Sequence, residues 1–149
     1  MRFLMLCLAL AAGLMFAAPA SAQGFPPGPW RGTWTTGANP GYEYQAELDF
    51  TLENSGRVTG QFRWMLVQSP RPEEQSKIGS RAVEYVEGEF DIAAGSLTLR
   101  GTRKDDPHSI IGLDVYRLAV SPNGQYIVGV TSDNDTWQGR LALTRFGPS

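Results

Sequence analysis

The chain has a single histidine, His108, and it stands in an acidic segment, KDDPHS, at residues 104–109. With Asp105 and Asp106, its imidazole could hold a hard cation or exchange protons. The ligand spacings typical of zinc and calcium sites are not found around it. Because Asp, Pro and Ser are also common turn formers, we favour a solvated loop and predict no bound metal or cofactor.

The sequence designates no catalytic centre. Ser109 adjoins His108, but a serine nucleophile and its base must be brought together by the fold, and no glycine-flanked nucleophile elbow is present. The single cysteine, Cys7, lies in the apolar N-terminal segment. Paired carboxylates could cleave glycosides, yet no particular pair stands out. We therefore favour a protein that is not an enzyme and leave that question open.

Asp114 stands on what the alternation predicts to be the apolar face of a strand. In GLDVYRLAV, residues 112–120, it shares a face with Tyr116 and Leu118. A carboxylate on such a face must be paired or bound to a ligand, because burying an unpaired charge is costly. A bulge near Gly112 that turns Asp114 outward is the alternative. The arginines that could pair with it are Arg63, Arg100, Arg103 and Arg117.

Aromatic residues dominate the predicted inward faces of the strands. Trp34, Tyr44, Phe62 and Trp64 fall on neighbouring strands, so we expect them to form one aromatic wall. Such rings could line a pocket for a flat or apolar small molecule. They could equally fill the lumen, because an eight-stranded barrel is just wide enough for side chains to fill it. The inward set is Trp30, Trp34, Tyr42, Tyr44, Phe50, Phe62, Trp64, Phe90 and Trp137.

Short strands that share one pattern must carry these side chains. The frame WRGTW at residues 30–34 (apolar, any, Gly, any, apolar) recurs at 58–62, 86–90 and 137–141. Residues 42–53 alternate apolar and polar six times, as in a strand with one wet face. Repeated strand glycines let a sheet coil and close. About eight strands without a helical pattern predict an all-β fold, a single antiparallel up-and-down β-barrel in which the first strand pairs with the last; a β-sandwich is the alternative.

The connections between the strands differ in a regular way. Successive hairpin connections alternate between the two ends of a barrel. The second, fourth and sixth are tight turns at residues 54–56, 93–95 and 122–124, whereas the opposite end carries the long polar segments 68–79 and 104–109. Function concentrates in loops on a rigid scaffold, and ligands enter small barrels at the mouth. We therefore expect a binding site at this elaborated end.

The first 22 residues have the pattern of a secretory signal peptide. A positive start, an apolar run and ASA at residues 20–22 predict secretion or export to the periplasm, with cleavage after Ala22. Residues 23–29 are expected to be a flexible lead and residues 30–149 the barrel domain. A formal net charge of −2 without a basic stripe argues against nucleic acid, and no membrane span is predicted in the mature chain. The oligomeric state is left open.

GTW at residues 32–34, GRVTGQF at 56–62 and DTW at 135–137 resemble the avidin–streptavidin family and, more broadly, the calycin barrels that include the lipocalins. The resemblance implies an exported eight-stranded barrel with a ligand in its lumen. It does not extend to the biotin-contacting positions of that family. Phe62 stands in place of a ring-binding tyrosine, and Trp64 in place of a small hydroxyl residue.

Two functional hypotheses follow. The first is a barrel that binds a small apolar or aromatic ligand at the open end of its lumen. The second is a protein-interaction or inhibitor module that uses the loops 68–79 and 104–109 against an extracytoplasmic protein, with a solid lumen. An open lumen would favour the first hypothesis. Its predicted site residues are Trp34, Tyr44, Phe62, Trp64, Asp114 and His108.

Overall fold

The alternation of apolar and polar residues forms eight strands that close into a barrel. The computed structural model describes residues 28–133 and 137–147. Each strand pairs antiparallel with the next, and the last pairs with the first. The predicted up-and-down barrel is therefore confirmed, and the sandwich is excluded. The strands are β1 Trp30–Thr35, β2 Glu43–Leu52, β3 Arg57–Gln68, β4 Arg81–Asp91, β5 Ser96–Asp105, β6 Val115–Val120, β7 Tyr126–Ser132 and β8 Gln138–Arg145.

The first and last glycine frames close the barrel. In the β1–β8 register, Gly32 lies opposite Leu143 and Trp34 opposite Leu141. A Cβ on Gly32 would lie 1.8 Å from the carbonyl oxygen of Ala142. Only glycine permits so close an approach of the neighbouring backbone. The predicted pairing of the first strand with the last is confirmed. The two frames are offset, however: WRGTW lies opposite residues 141–145, and Leu141 is the residue of WQGRL that faces it.

The two ends of the barrel differ in the way that the turn lengths predict. At the closed end, the three tight turns contain Gly56, Gly95 and Gly124 with φ of 89°, 63° and 66°. This left-handed conformation favours glycine. The open end carries the longer connections, at residues 36–42, 69–80, 106–114 and 133–137.

Two local features differ from the expectation. A 3₁₀ helix, Pro72–Lys77, lies in the segment 68–79, where the sequence predicts no helix. Six residues are too few to show a helical period, although proline in the first turn and lysine in the last are typical of helix ends. Strand β6 begins at Val115 instead of residue 112, so Asp114 is the last residue of a loop.

Side chains fill the closed-end half of the lumen. Each buried aliphatic side chain there contributes roughly 1.5–3 kcal/mol relative to an exposed one. This half of the barrel therefore supplies much of the stability that holds the open end in place. The fully buried residues of this half include Trp30, Leu48, Val58, Leu97, Ile127 and Leu143.

The chain enters β1 through Gly28 and Pro29, and the Phe146 amide donates to the Pro29 carbonyl at 2.9 Å. The predicted signal peptide, residues 1–22, and most of the predicted lead lie outside the described residues. Within residues 28–133 and 137–147, no helix has the length and apolarity that crossing a membrane requires.

Candidate functional site

The open end of the lumen contains a cavity of about 290 Å³. This volume is at the lower end of the roughly 300–1,000 Å³ typical of small-molecule pockets. Its walls and floor come from β1, β2, β3, β4 and β6, and its rim comes from the four long connections. The cavity therefore lies at the elaborated end, above the packed half of the barrel.

Aromatic rings form one continuous wall of the cavity. Tyr44 lies opposite Trp34 in the β1–β2 register, with ring centroids 5.4 Å apart and the planes at 76°. The Tyr44 and Trp64 rings meet edge to face at 6.1 Å. Such T-shaped pairs are favourable because the positive edge of one ring faces the negative face of the other. Three of the predicted site residues, Trp34, Tyr44 and Trp64, thus line the same cavity.

Trp137 lies farther out than the sequence predicts. Its side chain is 38% exposed, and its ring packs edge to face on Tyr42 at 5.0 Å. The Arg71 guanidinium lies 5.6 Å from the Trp137 centroid. Instead of facing the lumen interior, Trp137 extends the aromatic wall to the rim.

Glu84 on β4 lies at the floor of the cavity and is 1% exposed. Its carboxylate accepts the Asp114 backbone N–H at 2.9 Å, the Trp64 Nε1–H at 3.3 Å and the Tyr116 hydroxyl. Burial raises the pKa of Glu84 to about 7, against the opposing effect of these donors, and the neighbouring Asp114 charge adds to the rise. A buried carboxylate with a pKa so close to neutrality is characteristic of functional sites.

The sequence reasoning missed Glu84, although a signal was present. In β4 it lies two residues before Val86 and four before Gly88, so it shares their face. The same parity identified Asp114. Glu84 was missed because the inward face of β4 was identified from its apolar residues alone.

Asp114 lines the cavity beside Glu84. Burial raises the pKa of Asp114, the Thr131 hydroxyl opposes the rise by hydrogen bonding, and the Asp133 charge adds to it. Thr131 Oγ1 accepts the Trp34 Nε1–H at 2.7 Å, which leaves the Thr131 proton free to donate to Asp114. Asp114 therefore faces inward, and the alternative of an outward bulge does not occur.

The arginines that the sequence offered as partners for Asp114 interact elsewhere. Arg63 pairs with Glu47 and Asp49, and Arg100 pairs with Glu87. The remaining two, Arg103 and Arg117, are exposed, and the Arg103 guanidinium lies 3.4 Å from the centre of the Tyr85 ring.

Two predicted site residues do not line the cavity. Phe62 is fully buried beneath it, stacked on Trp64 at 5.0 Å and on Tyr116 at 4.8 Å. His108 is exposed on its loop, whereas the next residue, Ser109, reaches the rim. In the same loop, the Asp106 carboxylate accepts two backbone N–H groups, from residues 110 and 111, at 2.9 and 3.0 Å. Asp106 thus shapes the loop.

A metal centre is not assembled in the part of the chain that the structure describes, where no three or more His, Cys, Asp or Glu side chains are placed to hold an ion. Asp105 is exposed and Asp106 is bound within its own loop. The acid–base candidates around His108 are therefore dispersed, whereas Glu84 and Asp114 line the cavity together.

Two glycines supply space for side chains of the site. A Cβ on Gly139 would lie 2.0 Å from Cε2 of Trp34. A Cβ on Gly101 would lie 2.0 Å from Oε1 of Glu84. Any larger residue at either position would displace a ring or a carboxylate that lines the cavity.

Fold and site together define a closed eight-stranded antiparallel barrel with an aromatic cavity and a carboxylate floor at one end. The sequence matches no protein-family model, and no curated protein is similar to it.

Proposed function

We propose that this protein binds a small molecule in the open end of its barrel. The observation that carries the proposal is the cavity of about 290 Å³, which is walled by Trp34, Tyr44 and Trp64. A concave space with aromatic walls and a few converging polar groups is typical of small-molecule sites. The aromatic faces suit an apolar or aromatic ligand body. A lumen-bound ligand is also what the resemblance to the avidin–streptavidin and calycin barrels implies.

The second hypothesis, a protein-interaction module, receives less support from the open-end loops. Their polar groups serve to build the rim. Glu74 accepts hydrogen bonds from Tyr42 at 2.7 Å and Ser69 at 2.6 Å, and Lys77 donates to the Ser109 carbonyl at 3.3 Å. Groups engaged in this way are less available to another protein, so the cavity is the preferred site.

We further propose that the protein acts after export, with the signal peptide removed behind Ala22. The support is the charged start, apolar run and small-residue cleavage site of the sequence. The intact mass of the protein recovered from its host should correspond to residues 23–149. A mass that retains Met1 would contradict export by this route.

Native mass spectrometry of protein purified from its own host tests the binding function. We expect a bound small molecule in the wild type and its loss in Trp64→Ala. The matched control is Tyr126→Ala, because Tyr126 is an aromatic residue of β7 that is 52% exposed. The control should retain the ligand. If the wild type carries no ligand and binds none from a library of small aromatic compounds, the proposed function is wrong.

A further inference from the structure

The floor of the cavity carries acidic groups that the fold does not neutralise. Glu84 and Asp114 both line the cavity. Within the described ranges, neither carboxylate forms an ion pair with a lysine or an arginine. The groups that contact Glu84 are an indole, a phenol and a backbone amide, all of them neutral donors. Three donors aimed at one carboxylate suit its ionised form, which only accepts.

The basic side chains near the cavity are directed elsewhere. Lys104 lies opposite Glu84 in the β4–β5 register, but its amine contacts the Asp106 carboxylate at 3.3 Å and the Ile111 carbonyl. Lys77 donates to a loop carbonyl at the rim. The third of these cations, Arg71, lies at the rim beside Glu74, with 3.7 Å between the charged atoms. When Glu84 and Asp114 are ionised, the floor therefore holds negative charge with which no lysine or arginine of the described residues forms an ion pair.

We infer that the ligand of this cavity is a small organic cation, a protonated amine on a flat or aliphatic body. The inference deepens the proposed function and depends on it. The ammonium group would lie against Glu84 and Asp114, where it completes the charge balance that the barrel leaves open. The body would lie against Trp34, Tyr44 and Trp64.

The aromatic wall suits a cation as well as an apolar body. The faces of tryptophan and tyrosine rings carry negative potential and attract ammonium groups within about 6 Å of the ring centre. The wall and the floor thus favour the same sign of charge. An anionic ligand would instead meet two carboxylates in a buried site, where like charges repel strongly.

Three probes of similar size but different charge test this inference: phenethylamine, 2-phenylethanol and 3-phenylpropionate. We expect the wild-type protein to bind the amine at least tenfold more tightly than the alcohol in calorimetric titration, and the carboxylate least. Glu84→Gln and Asp114→Asn should each remove most of this preference, because affinity for the amine should fall far more than affinity for the alcohol. The control is Glu87→Gln, which removes an acid that is paired on the outside of the same strand; it should bind like the wild type.

The pH profile of the unmodified protein gives a second readout that needs no variant. Because Glu84 titrates at a pKa of about 7, amine affinity should rise with pH up to and through neutrality. Below that pKa, affinity should fall toward tenfold per pH unit, the limit for one proton that must leave before binding. The alcohol should bind with little pH dependence.

The outcomes separate this inference from the proposed function. If the alcohol or the carboxylate binds as tightly as the amine, the cation is excluded and a small-molecule site remains. If Glu84→Gln and Asp114→Asn both leave the preference for the amine intact, the carboxylate floor does not hold the ammonium group and the inference is wrong. If none of the three probes binds, the inference is contradicted, and the native mass spectrum of the protein from its host decides separately whether the cavity holds another small molecule.

Discussion

The Glu84 carboxylate occupies the place where a side chain on Gly101 would begin, because a Cβ at that glycine would lie 2.0 Å from Glu84 Oε1. The two residues lie on neighbouring strands, β4 and β5. A glycine in a strand interior usually weakens the sheet, since it has no side chain to pack. Here the missing side chain leaves room for a buried acid at the floor of the cavity.

Gly101→Ala should therefore destabilise the barrel, because the added methyl group must displace the carboxylate or the strand. Overpacking of this kind costs roughly 1–3 kcal/mol, measurable by urea unfolding. Gly112→Ala is the control, since a Cβ there would meet its nearest atom at 3.7 Å, an ordinary contact. In a Glu84→Ala background, Gly101→Ala should cost less, as expected for directly interacting positions. Equal costs in both backgrounds would show that the carboxylate is not what the methyl group meets.

Glu84 should make stability decrease as pH rises toward neutrality. Burial raises the pKa of Glu84 to about 7 in the folded chain, from an ordinary 4.5. Between these two pKa values the folded state binds the proton more tightly than the unfolded state. Protonated Glu84 therefore contributes its full stabilisation below about pH 4.5, and this contribution is lost as the pH rises to about 7. This difference in pKa corresponds to a change of about 3 kcal/mol in the free energy of unfolding.

Urea unfolding of wild type and Glu84→Gln at about pH 5 and about pH 8 measures this contribution. The wild type should lose more stability than the variant between the two conditions. Glu87→Gln, on the outer face of β4, should follow the wild type. Parallel losses in wild type and Glu84→Gln would mean that Glu84 titrates normally.

Trp64 and Phe62 should differ in what their removal costs. Phe62 is fully buried between two rings, so Phe62→Ala should cost the roughly 3–5 kcal/mol of an emptied core site. Trp64 borders a space that already exists, so Trp64→Ala should cost less although the ring is larger. The free energies of unfolding of the two variants provide the comparison. A greater loss for Trp64→Ala would indicate that its ring acts as core and not as a pocket wall.

Tyr44 connects the aromatic wall to the loop at residues 106–114. Its hydroxyl donates to the Ile110 carbonyl at 2.5 Å in a buried position. Tyr44→Phe keeps the ring and removes this bond, at a cost of about 1 kcal/mol. Hydrogen exchange of amides in the 106–114 loop should accelerate in this variant and remain unchanged in Tyr126→Phe on the outer face. Unaltered exchange in the loop would show that its other contacts, such as those of Asp106, hold it without the Tyr44 hydroxyl.

Much of the fold could be predicted because its determinants are local. The alternation in residues 42–53 fixes an amphipathic strand, and the glycine frames at 30–34 and 137–141 mark where the sheet coils and closes. Turn length alone places the elaborated loops at one end. The short 3₁₀ helix escaped prediction because its formation depends on six residues and the surrounding loop.

The candidate site was harder to predict because it depends on depth and on contacts between distant strands. Phe62 and Trp64 are two residues apart in β3 and therefore share a face. Only the assembled barrel shows that the Phe62 ring lies beneath the cavity and the Trp64 ring beside it. The inward position of Asp114 depends on where β6 begins. Glu84 had the correct parity, yet the donors that make it a buried acid come from residues 20 to 32 positions away.

The pairing of Trp30 with Arg145 has a practical consequence. Both ends of the barrel chain emerge side by side at the pole of the tight turns, opposite the cavity. A surface, a fluorophore or a fused domain attached next to Trp30 or Arg145 would therefore leave the cavity entrance facing free solution. The barrel could therefore be immobilised in one orientation from this end, without its cavity being blocked.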